Sequence, residues 1–313
     1  MLHIAFNTDS AYTRFCGVTM VSLLRHNRQE LVTFHILGRG LTPADKEALT
    51  ILTDNFGQQI CFYDTDPKLL EGMSINCSAG HISLTTYLRC FLAEALPATI
   101  DRVIYLDCDM LVLNSLKELW ETDIAGKALA AVEDMSCDED ERFERLCYPK
   151  SESYFNAGML LVNLQYWREH QVGKECQDYY HRHPERIRFN DQDLLNAVLH
   201  GQWVKLSAKW NVQEGFYRPA FAENEQWKAT HPDLLTHPSI LHFTNRKPWD
   251  YDSLHPLRHL FFDYQAFTPW CRMHPLHNPL LCLARFFRHL PYYLHLRKPK
   301  YSTLPAEGVA ARC

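Results

Sequence analysis

The sequence predicts an α/β fold: a Rossmann-like, mostly parallel sheet with helices on both faces, plus a C-terminal helical appendage. Three observations carry that prediction. Short apolar, β-branched runs alternate with amphipathic stretches along most of the chain. One of them, Arg102 to Leu113, reads as a buried strand although it carries Asp107 and Asp109 in its middle. From about Tyr251 onward Pro, His, aromatic and Arg residues dominate, and no Asp or Glu occurs between Asp263 and Glu307. The expected division is therefore one domain over residues 1–250 and an appendage over 251–313.

The elements follow in order. A strand is expected at His3 to Asn7, a helix over Phe15 to His26, and a strand at Thr33 to Leu37. Thr42-Pro43-Ala44-Asp45 is a helix start, with Thr42 as cap and Pro43 in the first turn, for a helix reaching Phe56. A strand at Gln59 to Tyr63, a helix over Thr85 to Glu94 and the Asp-rich strand from Val103 complete the first part. Leu129 to Glu133 and Ala157 to Val162 read as further strands, and Gln192 to His200 as a helix.

At 313 residues and 46% hydrophobic, the chain can bury a full core. A net charge of −5 makes no general case for nucleic-acid binding. The first residues read directly as a strand, without a basic leader and long apolar segment, so a cytoplasmic protein is expected. The eleven cysteines are odd in number and scattered, with no Cys-x-x-Cys pair, which fits reduced thiols rather than structural zinc. No apolar stretch reaches the ~18 residues a membrane span needs.

The chemistry centres on Asp107 and Asp109. Two apart on an extended chain, both carboxylates would share one face and repel unless a cation lies between them. Hard carboxylate oxygens suit Mg²⁺ or Mn²⁺, which keep open positions for phosphate oxygens. Asn7-Thr8-Asp9-Ser10-Ala11-Tyr12 is a polar loop opening a helix, able to hold a base or ribose. His242 sits in the apolar run Ile240 to Phe243 and is followed by Arg246-Lys247-Pro248-Trp249, whose cations suggest an anion.

Six segments together resemble glycosyltransferase family 8, which includes bacterial lipopolysaccharide galactosyl- and glucosyltransferases and the glycogenins. They are Asn7 to Tyr12, His81 to Arg89, Tyr105 to Asp109, Tyr154 to Gly158, Asn190 to Asp193 and His242 to Trp249, in family order. The resemblance implies a GT-A fold with Mn²⁺, or Mg²⁺, and a UDP-sugar donor, making an α-linkage with retention. It implies that Asp107, Asp109 and His242 bind the metal, that Asp9 and Tyr12 contact uridine, and that Lys247 meets the diphosphate. Arg89, Asp134, Asn156 and Asp191 would hold donor hydroxyls, with Gln192 beside the reacting carbon; Asn7 and His81 belong to the donor-binding motifs. Gln192 and Asp191 are the candidate catalytic residues, although an amide oxygen is a poor nucleophile. Front-face attack is the favoured route.

Outside the resemblance, Arg89 would also suit a surface ion pair, and Asn156-Ala157-Gly158 a tight turn. The chain departs from the family where Asn245 replaces a glycine three residues after the His. The segment before Lys-Pro-Trp is also short; Asn can still adopt positive φ at modest cost, so the change reads as a local adjustment rather than a dead site. The tail from Leu280 to Lys298 mixes cations with large apolar residues, which suits an anionic membrane surface; a helical lid is the other reading. The expected partners are thus a UDP-hexose, a glycan or glycolipid acceptor such as lipopolysaccharide core, and the inner face of the cytoplasmic membrane. A nucleotidyltransferase would need a Gly- and Lys-rich phosphate loop, which is missing. A silent UDP-sugar-binding protein and a self-glucosylating primer are the remaining alternatives.

Overall fold

The computed structural model describes residues 1–75, 83–136, 139–222, 227, 231–274 and 277–304. Ten strands occur among them: β1 (Leu2–Asp9), β2 (Val32–Arg39), β3 (Gln59–Asp64), β4 (Arg102–Leu106), β5 (Met110–Val112), β6 (Leu129–Glu133), β7 (Phe155–Asn163), β8 (Trp203–Lys205), β9 (Val212–Gln213) and β10 (Ile240–His242). Seven form one sheet in the order β3-β2-β1-β4-β7-β6-β8. Every neighbouring pair is parallel except those involving β7, which runs against both β4 and β6. The mostly parallel α/β architecture expected from the sequence is the one observed.

By its contacts the chain divides into two compact units. The first comprises Met1–Cys16, Arg28–Cys108 and Leu116–Ser207, and contains the whole seven-stranded sheet. Its core is filled by residues such as Tyr87, Phe91, Tyr105, Phe155 and Trp167, each no more than 1% exposed. The second comprises Gly17–Asn27, Asp109–Ser115 and Ala208–Cys313, and contains a small sheet in the order β5-β10-β9. There β10 runs antiparallel to β5, pairing His242 with Met110, and parallel to β9, pairing His242 with Gln213.

Local rules explain much of this. Helix Pro43–Asp54 starts with a complete capping box: Asp45 N–H donates to Thr42 Oγ1 at 3.1 Å, and Thr42 N–H donates to Asp45 Oδ2 at 2.9 Å. The helix expected at Thr85 to Glu94 is instead a 3₁₀ segment, Leu84–Phe91, followed by one α-turn, Leu92–Ala95. Arg89 Nε turns back to the carbonyl of Thr86 at 3.2 Å, and the tighter winding accompanies that competing bond.

The strand expected to run from Arg102 through both aspartates is two strands. β4 ends at Leu106, residues 107–109 turn, and β5 joins the other sheet. The two carboxylates therefore lie on a turn, not on one face of a continuous strand. A ladder buried on both faces has no room for charge, so the Asp residues sit where the ladder stops. No helix is long and apolar enough to cross a membrane among the described residues, and none of their cysteines forms a disulfide.

Candidate active site

In the sheet-bearing unit, Asp107 follows the last residue of β4, and its N–H still donates to Gly158 O at 2.8 Å. Tyr105, two residues earlier, donates its hydroxyl to Asp107 Oδ1 at 2.8 Å. Arg89 reaches the same oxygen through Nη2 at 2.7 Å and Asp191 Oδ2 through Nε at 2.9 Å, while its Nη1 donates to Ala157 O at 2.6 Å. Its guanidinium lies 4.5 Å from the centre of the Tyr105 ring. Arg89 is thus a buried bridge between two carboxylates, not a surface ion pair. Burial penalises its charge, yet Asp107 and Asp191 outweigh that and raise its pKa above the ordinary value. Burial also pushes the Asp191 carboxyl up to about 6, against the opposing pull of Arg89 and a hydrogen bond from Thr86.

Asp134 is a second hub. Its Oδ2 accepts from Asn156 Nδ2 at 3.0 Å and from Gln192 Nε2 at 3.1 Å. Its Oδ1 accepts from the Ser136 hydroxyl at 2.7 Å and faces buried Arg142 at 3.5 Å. Burial alone would raise its pKa, but these hydrogen bonds and the Arg142 charge lower it below the usual value. Gln192 Oε1 accepts from Ala157 N–H at 3.0 Å, so both ends of that amide are engaged. Asn156, Ala157 and Gly158 lie inside β7 rather than in a tight turn.

Asp191 and Gln192 open helix Asn190–Leu199. Asn190 has φ of 48°, a left-handed conformation that Asn tolerates better than most residues. The sharp entry aims the following two side chains at Arg89 and Asp134. In the first loop, Asp9 Oδ1 accepts from the N–H groups of Ala11 and Tyr12, both at 3.1 Å, and Oδ2 accepts from the Ser83 hydroxyl at 2.9 Å. Asp9 therefore shapes the loop that presents Tyr12, whose ring packs edge-on at 5.2 Å against Phe15. Asn7 is buried and donates to Thr85 O at 3.3 Å. His81 lies outside the described residues.

In the other unit, Asp109, His242 and Lys247 come together. Lys247 Nζ pairs with Asp109 Oδ2 and also donates to Phe243 O at 2.8 Å. His242 Nε2 lies 3.3 Å from Asp109 Oδ1, and its Nδ1 lies 2.9 Å from Asn211 Oδ1. That amide oxygen only accepts, so it is His242 Nδ1 that donates to it. Burial would raise the Asp109 pKa, but Lys247 and His242 overcome it and hold the carboxyl far below its usual range. Asn245 does not adopt positive φ. The short turn from His242 to Lys247 closes with ordinary backbone angles there and has no need of a left-handed residue.

Residues 3–253 match the model of glycosyl transferase family 8. The chain belongs to that family. General stress protein A of Bacillus subtilis is 31% identical over 276 residues, covering 86% of this chain and 95% of that protein. The lipopolysaccharide 1,3-galactosyltransferase of Salmonella typhimurium is 27% identical, over 86% of this chain and 79% of its own length. The solved structure of galactosyltransferase LgtC, in complex with donor and acceptor sugar analogues, superposes with a TM-score of 0.78 at 28% identity. That match covers 86% of this chain and 96% of LgtC. The fold is accordingly GT-A, and the chain is a glycosyltransferase.

Sequence reasoning passed over several members of this arrangement. Tyr105 stood two residues from Asp107, a spacing that places strand side chains on one face and was available as a signal. Thr86 lay within a motif without an assigned part. Arg142 and Asn211, in contrast, carried no local signal, because only the folded chain brings them to Asp134 and His242.

Proposed function

We propose that this glycosyltransferase moves a hexose, glucose or galactose, from a UDP-sugar to a glycan or glycolipid such as lipopolysaccharide core, forming an α-linkage with retention. The observation that carries the reading is the buried pair of Asp109 and His242 beside Lys247. Asp109 Oδ1 is buried, and His242 Nε2 lies 3.3 Å from it. A carboxylate oxygen and an imidazole nitrogen this close could share a divalent cation, and a mixed oxygen and imidazole set suits Mn²⁺, with Mg²⁺ as the harder substitute. Asn211 would fix the imidazole orientation, as partners of metal-binding histidines do. Asp107, two residues from Asp109 along the chain, would complete the set.

When bound, the metal would supply positive charge to the diphosphate of the leaving UDP. Lys247 would add a second positive charge at the same group, and Tyr12 would meet the uridine. Arg89, Asp134, Asn156 and Asp191 would hold the hydroxyls of the donor sugar. Since Gln192 Oε1 already accepts from Ala157 N–H, that oxygen is poorly placed as a nucleophile. This supports front-face attack, in which the acceptor hydroxyl enters on the side from which UDP departs and no covalent sugar is formed on a side chain. Asp191, pushed up to about 6, is the carboxylate suited to accepting a hydrogen bond from a sugar hydroxyl above that pH.

Residues 1–250 would form the catalytic domain and 251–313 the appendage; the family match over 3–253 supports that division. The appendage would lay the apolar face of helix Pro279–Tyr293 on the inner face of the cytoplasmic membrane. Leu280, Phe286 and Phe287 are 75%, 51% and 61% exposed, and Arg297 and Lys298 are exposed just beyond the helix. The test of the reaction is UDP release from UDP-glucose and UDP-galactose, with Mn²⁺ and then with excess EDTA. Metal-dependent release with one donor is expected. An absence of both release and calorimetric UDP binding would refute the proposal.

A further inference from the structure

The stretch Phe243 to Leu257 links β10 to helix Arg258–Gln265 and contains neither helix nor strand. It begins one residue after His242 and carries Lys247. A segment with no ladder of its own must find partners for its backbone elsewhere. Three successive carbonyls find theirs on the C-terminal helix. Arg285 Nη1 donates to Tyr251 O at 2.6 Å and to Ser253 O at 2.8 Å, and His289 Nε2 donates to Asp252 O at 3.0 Å. Arg288 Nε holds the Asp252 carboxylate at 2.9 Å. Arg285 and His289 are one helical turn apart, so the helix turns a polar stripe inward and leaves its apolar residues outside.

The chain beyond this helix takes a second grip. Tyr301 Oη and Lys300 Nζ both reach Glu214 Oε1, on a residue with no exposed surface, and Ser302 N–H donates to Tyr217 O at 2.8 Å. Glu214 directly follows β9, and its N–H donates to Thr244 Oγ1 at 3.3 Å, on the far side of His242. The Tyr301 ring lies 5.6 Å from that of His255, which packs at 4.8 Å on Phe243. The loop is thus held near both ends by residues remote from it in sequence.

We propose that the C-terminal arm, residues 279–302, is a clamp on the loop that bears Lys247 and on the end of β10 that bears His242. Arg285 and Tyr301 are then positioning residues for donor binding, with or without a lipid surface. The functional half of this inference rests on the assignment of His242 and Lys247 to the metal and diphosphate.

The experiment measures hydrogen–deuterium exchange across residues 243–257 and Mn²⁺-dependent UDP binding by calorimetry, without lipid. It compares the full chain with Arg285→Ala, Arg285→Lys and Tyr301→Phe. Arg285→Ala should speed exchange in the loop and weaken UDP binding by about tenfold, the scale of losing charge-assisted hydrogen bonds. Arg285→Lys should recover part of both, and Tyr301→Phe should raise the donor KM while leaving kcat near the unsubstituted value. Unchanged exchange in Arg285→Ala overturns the clamp, and faster exchange with unchanged UDP affinity overturns its role in positioning. If the unsubstituted chain binds no UDP, the donor assignment fails, and the exchange data still decide whether the clamp exists.

Discussion

The two units hold their chemistry in different ways. In the sheet-bearing unit, Asp107, Arg89 and Asp191 project from a strand end, a 3₁₀ segment and a helix start and satisfy one another across short distances, while Asn156 on β7 donates to Asp134. In the other, Lys247 hangs on a loop whose backbone is held by the C-terminal arm, and His242 ends a three-residue strand. A carboxylate network on regular elements is rigid because each charge already has its counter-charge. A loop without a ladder is only as fixed as its distant partners. Loss of charge should therefore damage the first unit through stability and the second through ligand affinity.

The largest expected effect breaks the metal end. Asp109→Asn should lower donor turnover by at least about a thousandfold, because the charge supplied to the leaving diphosphate is worth several kcal/mol. The circular dichroism spectrum should stay native, and turnover within tenfold of the unsubstituted enzyme would remove Asp109 from the site. Arg89→Ala makes the opposite case. It strands buried Asp191 and half-buried Asp107 and should cost about 3–5 kcal/mol in denaturant unfolding. A loss under about 1 kcal/mol would mean that the bridge is solvated.

A pH profile sharpens the contrast further. Asp191 has a folded pKa of about 6, above its ordinary 3.8. If its ionised form accepts sugar hydroxyls, turnover should fall roughly tenfold per unit below about pH 6, and Asp191→Asn should lack that limb. The sign for stability is reversed. A raised carboxyl favours the fold while protonated, so this contribution is complete below about pH 4 and is lost as pH rises through 6. The smallest effect expected is that of Tyr12→Ala, which should raise the donor KM about three- to tenfold through lost stacking, with kcat unchanged. A KM within error of the original would separate Tyr12 from the uridine.

Much of this was legible in the sequence, and the rest failed for identifiable reasons. The capping box at Thr42 and Asp45 is local, so a four-residue pattern sufficed. Alternating apolar runs revealed the sheet because burial on both faces demands them. The Asp-x-Asp stretch misled in one respect. An apolar run on each side of a charged triplet looks the same whether the strand continues or the chain turns into another sheet. The angle at Asn245 stayed open, since a position filled by glycine elsewhere does not show which backbone conformation this short segment takes. In the tail, amphipathic composition was visible, but not that Arg285 and His289 turn inward toward the carbonyls of residues 251–253.

By itself the sequence determined where the charges fall along the chain, which runs must be buried, and the ordered motifs that mark a family 8 glycosyltransferase. Tertiary structure alone decided what each charge meets: Arg89 between Asp107 and Asp191, Arg142 at Asp134, Asn211 behind His242, and Arg285 on the Lys247 loop. The physical reason is range. Burial and capping depend on neighbours within a few residues, whereas the partner of a buried charge is chosen by where distant segments pack, and that choice sets its pKa, its rigidity and its use.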